Sequence, residues 1–540
     1  MQAMYDYIIV GAGSAGCVLA NRLSEDPLVS VLLLEAGGKD SKREIHVPMF
    51  FTRNFGTAVD WGYTTEAEPH LENRQVYWPR GKVLGGSSSI NAMIYIRGHH
   101  SDYDQWRALG NLGWSYREVL PYFKKAENQE RGPSAYHGVG GPLNVCDPRS
   151  PSVVSRVFVE AAKECGFARN PDFNGAAQEG FGLFQLTQKK GRRHSAADAF
   201  LRPALRRSNL TVETNVHVCA VLFEGTRAVG VRYLRSGRTE EARAERETIL
   251  CAGAVGSPQL LLLSGVGPAD QLRSLDIPVV ADVPGVGNNL QDHLVLAVIH
   301  ECKRPVSLAT AESLPNRLRY RYFKQGPLTS NLGEAGGFVK LLPERPAPDL
   351  QFHFAPNSFY DRGPEPLKDH FFSFVPTVIR PFSKGSIRLR SNNPADPPQI
   401  QANYLGDARD VDVLVEGMKL ARTLVRAKAF DEFRGREVHP GPDVQGDQAL
   451  RAYARKVAET LFHPAGTCKM GHDPAAVVDS ELRVRGTEGL RVADASVMPV
   501  VPGGNINAPT IMLAEKAADL IKQEKAADRP AEAVLSDAGR

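Results

Sequence analysis

The chain has 540 residues, 42% of them hydrophobic, with 65 Lys and Arg against 61 Asp and Glu and a net charge of +4. That length exceeds what one hydrophobic core normally organises, so two domains are expected, and the apolar content can fill both. The basic residues are scattered, no run reaches the length of a membrane span, and no secretory leader is read before the first strand, so charge and hydropathy argue for neither a nucleic-acid partner nor a transmembrane segment.

Seven cysteines without a CxxC pair, one of them necessarily left over, fit reduced thiols in a cytoplasmic chain without a metal centre, at most peripheral to a membrane.

The first element is specific. "YIIVGAGSAGCVLANRLSE" is an apolar strand, then Gly11, Gly13 and Gly16 in GxGxxG spacing, then a helical pattern through Leu23. A second strand, "VSVLLLEAGG", ends in Glu35. Gly11 makes the tight turn, Gly13 lets backbone approach a pyrophosphate, and Gly16 permits close packing of helix on strand. The helix N-terminus faces the phosphate charge, Ser14 and Ala36 flank the grip, and Glu35 is placed to accept hydrogen bonds from ribose hydroxyls. The unit binds a dinucleotide, and the glycines alone do not separate FAD from NAD.

Residues 79–98, "PRGKVLGGSSSINAMIYIRG", are dense in Gly and Ser between Trp78 and a β-prone run, which suits backbone lying against a flat or phosphorylated ligand. The densest basic runs, "GRRHS" (191–195) and "LRPALRRSN" (201–209), read as a solvated loop and helix face. At 249–267, "ILCAGAVGSPQLLLLSGVG" reads as a strand, a turn from Gly253 to Pro258, and a short helix ended by glycine. Farther on, "DLQFHFA" (349–355), "FFSFVPTVIR" (371–380) and "KGSIRLR" (384–390) alternate as strands do.

In "LFHPAGTCKM" (461–470), Pro464 biases His463 away from helical geometry, and packing alone suffices to explain a histidine between apolar residues. After "LRVAD", Pro509 suits the first turn of a helix whose buried face would carry Ile511, Ala514, Ala518 and Ile521. The tail from about 524 is charged, Ala-rich and expected to fray.

Taken together, the chain resembles the glucose-methanol-choline (GMC) flavoprotein oxidoreductases, and within them the choline dehydrogenase and alkanol dehydrogenase branch. "GKVLGGSSSIN" (81–91) is similar to the first signature of that family and "GAVGSPQLLLLSGVG" (253–267) to the second. "HPAGTCKMG" (463–471) and the block at 490–521 supply the third match.

The resemblance implies a mixed α/β (α+β) fold, in which a Rossmann-like FAD-binding domain is interleaved with an antiparallel-sheet substrate domain. Residues 1–155, 196–300 and 456–525 would form the first, residues 156–195 and 301–455 the second, and 526–540 a flexible tail. It implies FAD as cofactor, with Gly85, Gly86, Ser87, Asn91 and Ala92 along the pyrophosphate and flavin, and Val218 at the adenine. Asp494 and Ala495 would hold the ribityl chain, and Asn507, Pro509 and Thr510 would lie beside the pyrimidine end. Where some members attach the flavin through a histidine, this chain has Ile90, so non-covalent FAD is expected.

The implied reaction oxidises a primary alcohol to the aldehyde, with hydride passing to flavin N5. His463 would be the base and Asn507 the donor to the substrate oxygen. Phe462, His353 and Phe354 are candidate pocket walls, and Phe and Leu clusters favour an aliphatic or aromatic alcohol. Glu334 is a candidate anchor for the quaternary ammonium of choline, because choline-oxidising relatives use an acid in a comparable segment. Dioxygen or a quinone-type carrier would take the electrons. A hydroxynitrile lyase on the same fold is the alternative from another class.

Overall fold

The computed structural model describes residues 4–360 and 369–527, so most of the expected tail lies outside the described residues. Two large sheets organise the molecule. In the first, strands Leu210–Thr214, Val31–Glu35, Met4–Val10, the second half of Arg238–Leu250, and Leu490–Val492 run parallel in that order. Val31–Glu35 is buried along its whole length, as a strand covered on both faces must be. The first half of Arg238–Leu250 leaves this layer and pairs antiparallel with Arg227–Arg235, which pairs in turn with Val216–Glu224.

Register brings the strand ends together. Val10 stands opposite both Leu34 and Leu250, and Leu250 opposite Val492, so the parallel strands stop at one level. Loops leaving their carboxyl ends therefore converge on a single crevice, the usual ligand position in such sheets.

The second sheet is antiparallel, ordered Arg434–His439, Val298–Cys302, Phe371–Val378, Leu350–Ala355, Ala335–Val339 and Gly180–Leu183. Leu294–Val295 and Glu459–Thr460 pair at its margin, so the chain enters this layer near residue 294 rather than 301. The strand pattern at 384–390 forms only a short hairpin, Ser386–Arg388 with Gln399–Gln401, outside this layer.

The segment after Leu250 differs from its expected form. Helix begins at Gly253 itself and runs to Leu263 with Pro258 inside it. Proline cannot supply the N–H that would bond the carbonyl four residues back, and Thr467 Oγ1 donates to that Ala254 oxygen instead, at 2.7 Å. A residue from the His463 segment thus repairs the helix.

The last helix, Asn507–Ala527, starts where Pro509 suggested, and Ile511, Ala514, Ala518 and Ile521 are all at most 2% exposed.

Candidate active site

One cavity of about 430 Å³ lies between the two sheets. Its floor is the first glycine loop. Gly11 has φ +99°, and its N–H donates to Leu34 O at 2.8 Å, tying the loop to the end of the second strand. A Cβ on Gly16 would sit 1.8 Å from Gly11 O, so only glycine lets the helix start against the loop. Gly13, by contrast, has nothing closer than 4.0 Å where a side chain would begin.

Gly86 rests on this floor, since a Cβ there would lie 2.7 Å from Gly13 Cα. The two glycine segments are thus in backbone contact, with Gly85 N donating to Ala12 O at 2.8 Å. Glu35, Ala36 and Val218 line the cavity, as do Gly11, Gly13, Ser14, Gly86, Ser87, Asn91 and Ala92, Asp494 and Ala495, and Asn507, Thr510 and His463. Glycine backbone, buried carboxyls and polar side chains around one space suit a dinucleotide such as FAD. Gly16, Gly85 and Pro509 do not line it and serve by shaping the backbone.

Glu35 is buried and accepts from Ala12 N and Gly37 N, each at 2.8 Å, and burial raises its carboxyl to about 7. Asp494 accepts from Gly253 N, the Ser257 hydroxyl and Ser496 N, which ties the second glycine segment to the "LRVAD" turn.

Asn91 has an unexpected support. Arg193 is 2% exposed and donates to Asn91 Oδ1 (2.7 Å), Asn91 O (2.6 Å) and Ser88 O (3.0 Å). Of the run read as a solvated loop, Arg192 is exposed, but its neighbour holds the Gly-Ser segment from behind. Strand alternation at Arg192–Arg193 separates the two fates.

His463 lines the same cavity, and its surroundings come from distant parts of the chain. Its backbone N–H donates to Asp292 Oδ1 at 2.7 Å. Its Nδ1 is 2.9 Å from His293 Nδ1, and its Nε2 is 3.3 Å from the Asn505 amide nitrogen. An amide nitrogen only donates, so Nε2 is the acceptor, and the ring's one proton is on Nδ1, shared with His293. Gln351 Nε2 donates to Asn505 Oδ1 at 3.2 Å and so orients that amide. The unprotonated Nε2 is thus held by Asn505, and the ring it belongs to lines the cavity.

Phe462 carries the bend that presents this ring. It has φ +68°, uncommon for a bulky residue; its N–H donates to Thr460 Oγ1 at 2.7 Å, and its carbonyl accepts from Arg80 Nη2 at 2.6 Å. Its ring lines the cavity edge-on to Phe55, 5.7 Å between centroids.

Asn507 also lines the cavity, and its Oδ1 accepts from the Ser14 hydroxyl at 2.8 Å. That contact uses the amide oxygen and leaves the amide N–H group outside it. The polar group that touches His463 is Asn505, two residues earlier.

Two expectations about the pocket fail. Phe354 points away from the cavity and stacks on Phe158 (4.7 Å, 16°), because alternation along Leu350–Ala355 sends His353 and Ala355 into the cavity and Phe352 and Phe354 into the core behind. Glu334 is 1% exposed and does not line the cavity; it accepts from Ser152 N (2.7 Å), Ser155 Oγ (2.6 Å) and Ser330 Oγ (2.6 Å). Those donors occupy the carboxylate within the core.

Burial lowers His463 well below the ordinary histidine range, helped by His293, His353 and Arg80. Burial likewise lowers His293 to about 3 and His353 and His194 to about 4. These rings stay neutral in the folded chain and gain a proton only on unfolding below about pH 6.5, so each favours unfolding by about 1.4 kcal/mol per pH unit down to its folded value. Glu35 acts oppositely, holding a proton that the unfolded chain releases. His99, lowered to about 4, and His217 and His300 act with these rings, while Glu68, Asp292, Glu334, Asp410 and Asp494 are raised and act with Glu35; the large shifts fall mainly on the rings. The melting temperature should fall between pH 7 and pH 5, and a flat or rising curve over that window would contradict neutral buried rings.

Models described as GMC oxidoreductase match residues 5–295 and 381–514. The chain is 47% identical to human mitochondrial choline dehydrogenase, covering 97% of this chain and 90% of the human protein. It is 46% identical to an alcohol dehydrogenase [acceptor] of Pseudomonas putida, over 96% of each. Among solved structures, pyridoxine 4-oxidase from Mesorbium loti superposes with a TM-score of 0.88 at 32% identity, covering 96% of this chain and 99% of the oxidase.

Proposed function

This chain belongs to the GMC oxidoreductase family and is an FAD-dependent alcohol oxidoreductase; from that premise we propose that it oxidises an uncharged, apolar primary alcohol, with His463 as base. The observation that carries the substrate is the state of the cavity's carboxylates. Among the described residues, Glu35, Glu312 and Asp494 are the acids on its wall. Glu35 and Asp494 are held by backbone and serine donors, and Glu312 pairs with Arg53 and with Arg317. The cavity wall also includes the apolar side chains Phe55, Leu461, Phe462 and Val375, two of them just before His463 in the chain. Among the described residues, a quaternary ammonium would find aromatic faces and no uncommitted carboxylate, whereas an alkyl or benzylic chain would be well matched.

What FAD supplies when bound is an acceptor for the hydrogen and electron pair that leave the alcohol carbon. His463 Nε2 takes the hydroxyl proton, and His293 accepts the Nδ1–H that fixes the tautomer. The amide N–H group of Asn507, left outside the Ser14 contact, is the donor for the substrate oxygen. Residues 1–155, 196–293 and 461–525 would serve the cofactor, and the antiparallel sheet would roof the substrate. FAD would be held without a covalent bond, because Ile90 offers no nucleophile in the Gly-Ser segment. None of the relatives named above is a lyase, and that reading is set aside.

The test is anaerobic mixing of the holoenzyme with alkanols, benzyl alcohol and choline, followed at the flavin absorbance. Alkanols or benzyl alcohol should bleach the flavin at least ten times more efficiently than choline, a difference of about 1.4 kcal/mol. Acid precipitation should leave all the yellow colour in solution. Choline as the best substrate overturns the substrate assignment, and peroxide formed in air identifies dioxygen as acceptor in place of a carrier.

A further inference from the structure

Helix Leu314–Phe323 carries its apolar residues outward. Among the described residues thirteen large hydrophobic side chains are exposed, and four fall in these ten positions: Leu314 (69%), Leu318 (46%), Tyr322 (69%) and Phe323 (68%). Leu314, Leu318 and Tyr322 are spaced i, i+4, i+8 and so form one stripe. Tyr320, on the opposite side, is the buried residue of the helix, packed with Val47, Phe50 and Leu328. A stripe turned from the core in this way has no partner among the described residues.

Its rim is basic. From Ser313 to Gln325 the sequence holds Arg317, Arg319, Arg321 and Lys324 and no acid. Glu312, just before, is paired with Arg53 and Arg317. The hairpin carrying exposed Lys189, Lys190 and Arg192 abuts the helix end, for a Cβ on Gly191 would lie 2.6 Å from Lys324 O. Burial and the nearby charges of Arg192 and Arg321 lower the Lys324 pKa, as expected where cations crowd.

The helix also stands at the cavity. Leu308, Ala309 and Glu312, which lead into it, line the cavity, as do Met49, Phe50 and Arg53 beneath it. Glu312 and Arg53 keep 21% and 33% of their side-chain surface, so the wall is open to solvent here.

We propose that the outward face of Leu314–Phe323 docks on an anionic phospholipid bilayer, setting the cavity entrance against the membrane. An apolar stripe with cationic flanks is the pattern that enters the headgroup boundary, with Leu and Tyr buried and Arg and Lys at the phosphates. A second copy of this chain is the poorer occupant, because a two-fold pairing would bring the like charges of Arg319, Arg321 and Lys324 together. The docking is independent of which alcohol is oxidised, but with the apolar substrate proposed above it gives that substrate an entrance from lipid.

Flotation of the full-length holoenzyme with phosphatidylglycerol-rich vesicles, against pure phosphatidylcholine vesicles, tests this directly. The enzyme should float with the anionic vesicles, release as salt is raised, and prefer them over neutral ones by about ten-fold or more. The pair Leu314→Asp and Leu318→Asp should lose at least about ten-fold of that binding while keeping the melting temperature and flavin reduction rate in solution, both positions being exposed. Arg319→Ser with Arg321→Ser should weaken binding and its salt dependence. Failure of the wild type to float, or unchanged binding in the leucine pair, overturns the proposal. So does a dimer that the leucine pair converts to monomer without affecting flotation.

Discussion

His463→Ala should retain bound FAD and lose flavin reduction by alcohol by a factor of about 10² to 10⁴, the range a positioned general base contributes. FAD retention is expected because the glycine floor, Glu35 and the Gly-Ser segment make no hydrogen bond to this ring. The loss is expected because His463 lines the cavity and its Nε2 is the unprotonated nitrogen, oriented by Asn505, while Nδ1–H donates to His293. Anaerobic stopped-flow reduction, with flavin content measured on the same preparation, reads both quantities. A rate within a factor of about ten of wild type would remove His463 from the role of base. His293→Ala sharpens the reading: it leaves the base but frees its tautomer, so the rate should fall less, and its dependence on pH should change.

Much of the cofactor half could be read from sequence because its signals are local. The two strands, the glycine spacing and Glu35 lie within residues 5–35, and the positions that must be glycine are those where a Cβ would strike backbone. The pocket was harder for a physical reason. Alternation decides between His353 and Phe354, but sequence does not say which face of a fully buried strand meets the cavity. Glu334 carried a tempting charge, and only the three donors around it, from two separate segments, reveal it as a core group. Arg193 was misplaced for the same reason, because what neutralises its burial is backbone carbonyls a hundred residues away.

The groups that aim His463 were the least legible. Asp292 and His293 precede it by 171 and 170 residues, and Asn505 lies two positions from the asparagine that the family motif marks. "LQDH" carries an acid and a histidine side by side, a weak hint that nothing in the sequence connects to "LFHP". Leu461 N donating to His293 O at 2.8 Å is what joins them.

Asp292 is the group on which this arrangement depends most. It is 5% exposed, and its Oδ1 accepts from the backbone N–H of His463 (2.7 Å) and of His293 (2.9 Å). Its Oδ2 accepts from the hydroxyls of Thr460 (2.5 Å) and Tyr404. Burial raises its carboxyl above the usual range, and these donors together with the Arg80 charge oppose that shift. Asp292→Ala leaves two buried N–H groups without an acceptor, each costing about 1–3 kcal/mol, and releases the bend at Phe462 that presents the base. Asp292→Asn is milder for a specific reason: its remaining oxygen can face the two N–H groups, while the hydroxyls rotate to accept from its amide. Asp292→Ala should therefore cut kcat/KM by about 100-fold or more and lower the melting temperature by several degrees, with Asp292→Asn well above it on both measures. Equal damage from both variants would mean that the negative charge matters and not the pattern of acceptors. Near-normal kcat/KM in Asp292→Ala would show that Arg80 and Thr460 hold the His463 bend without it.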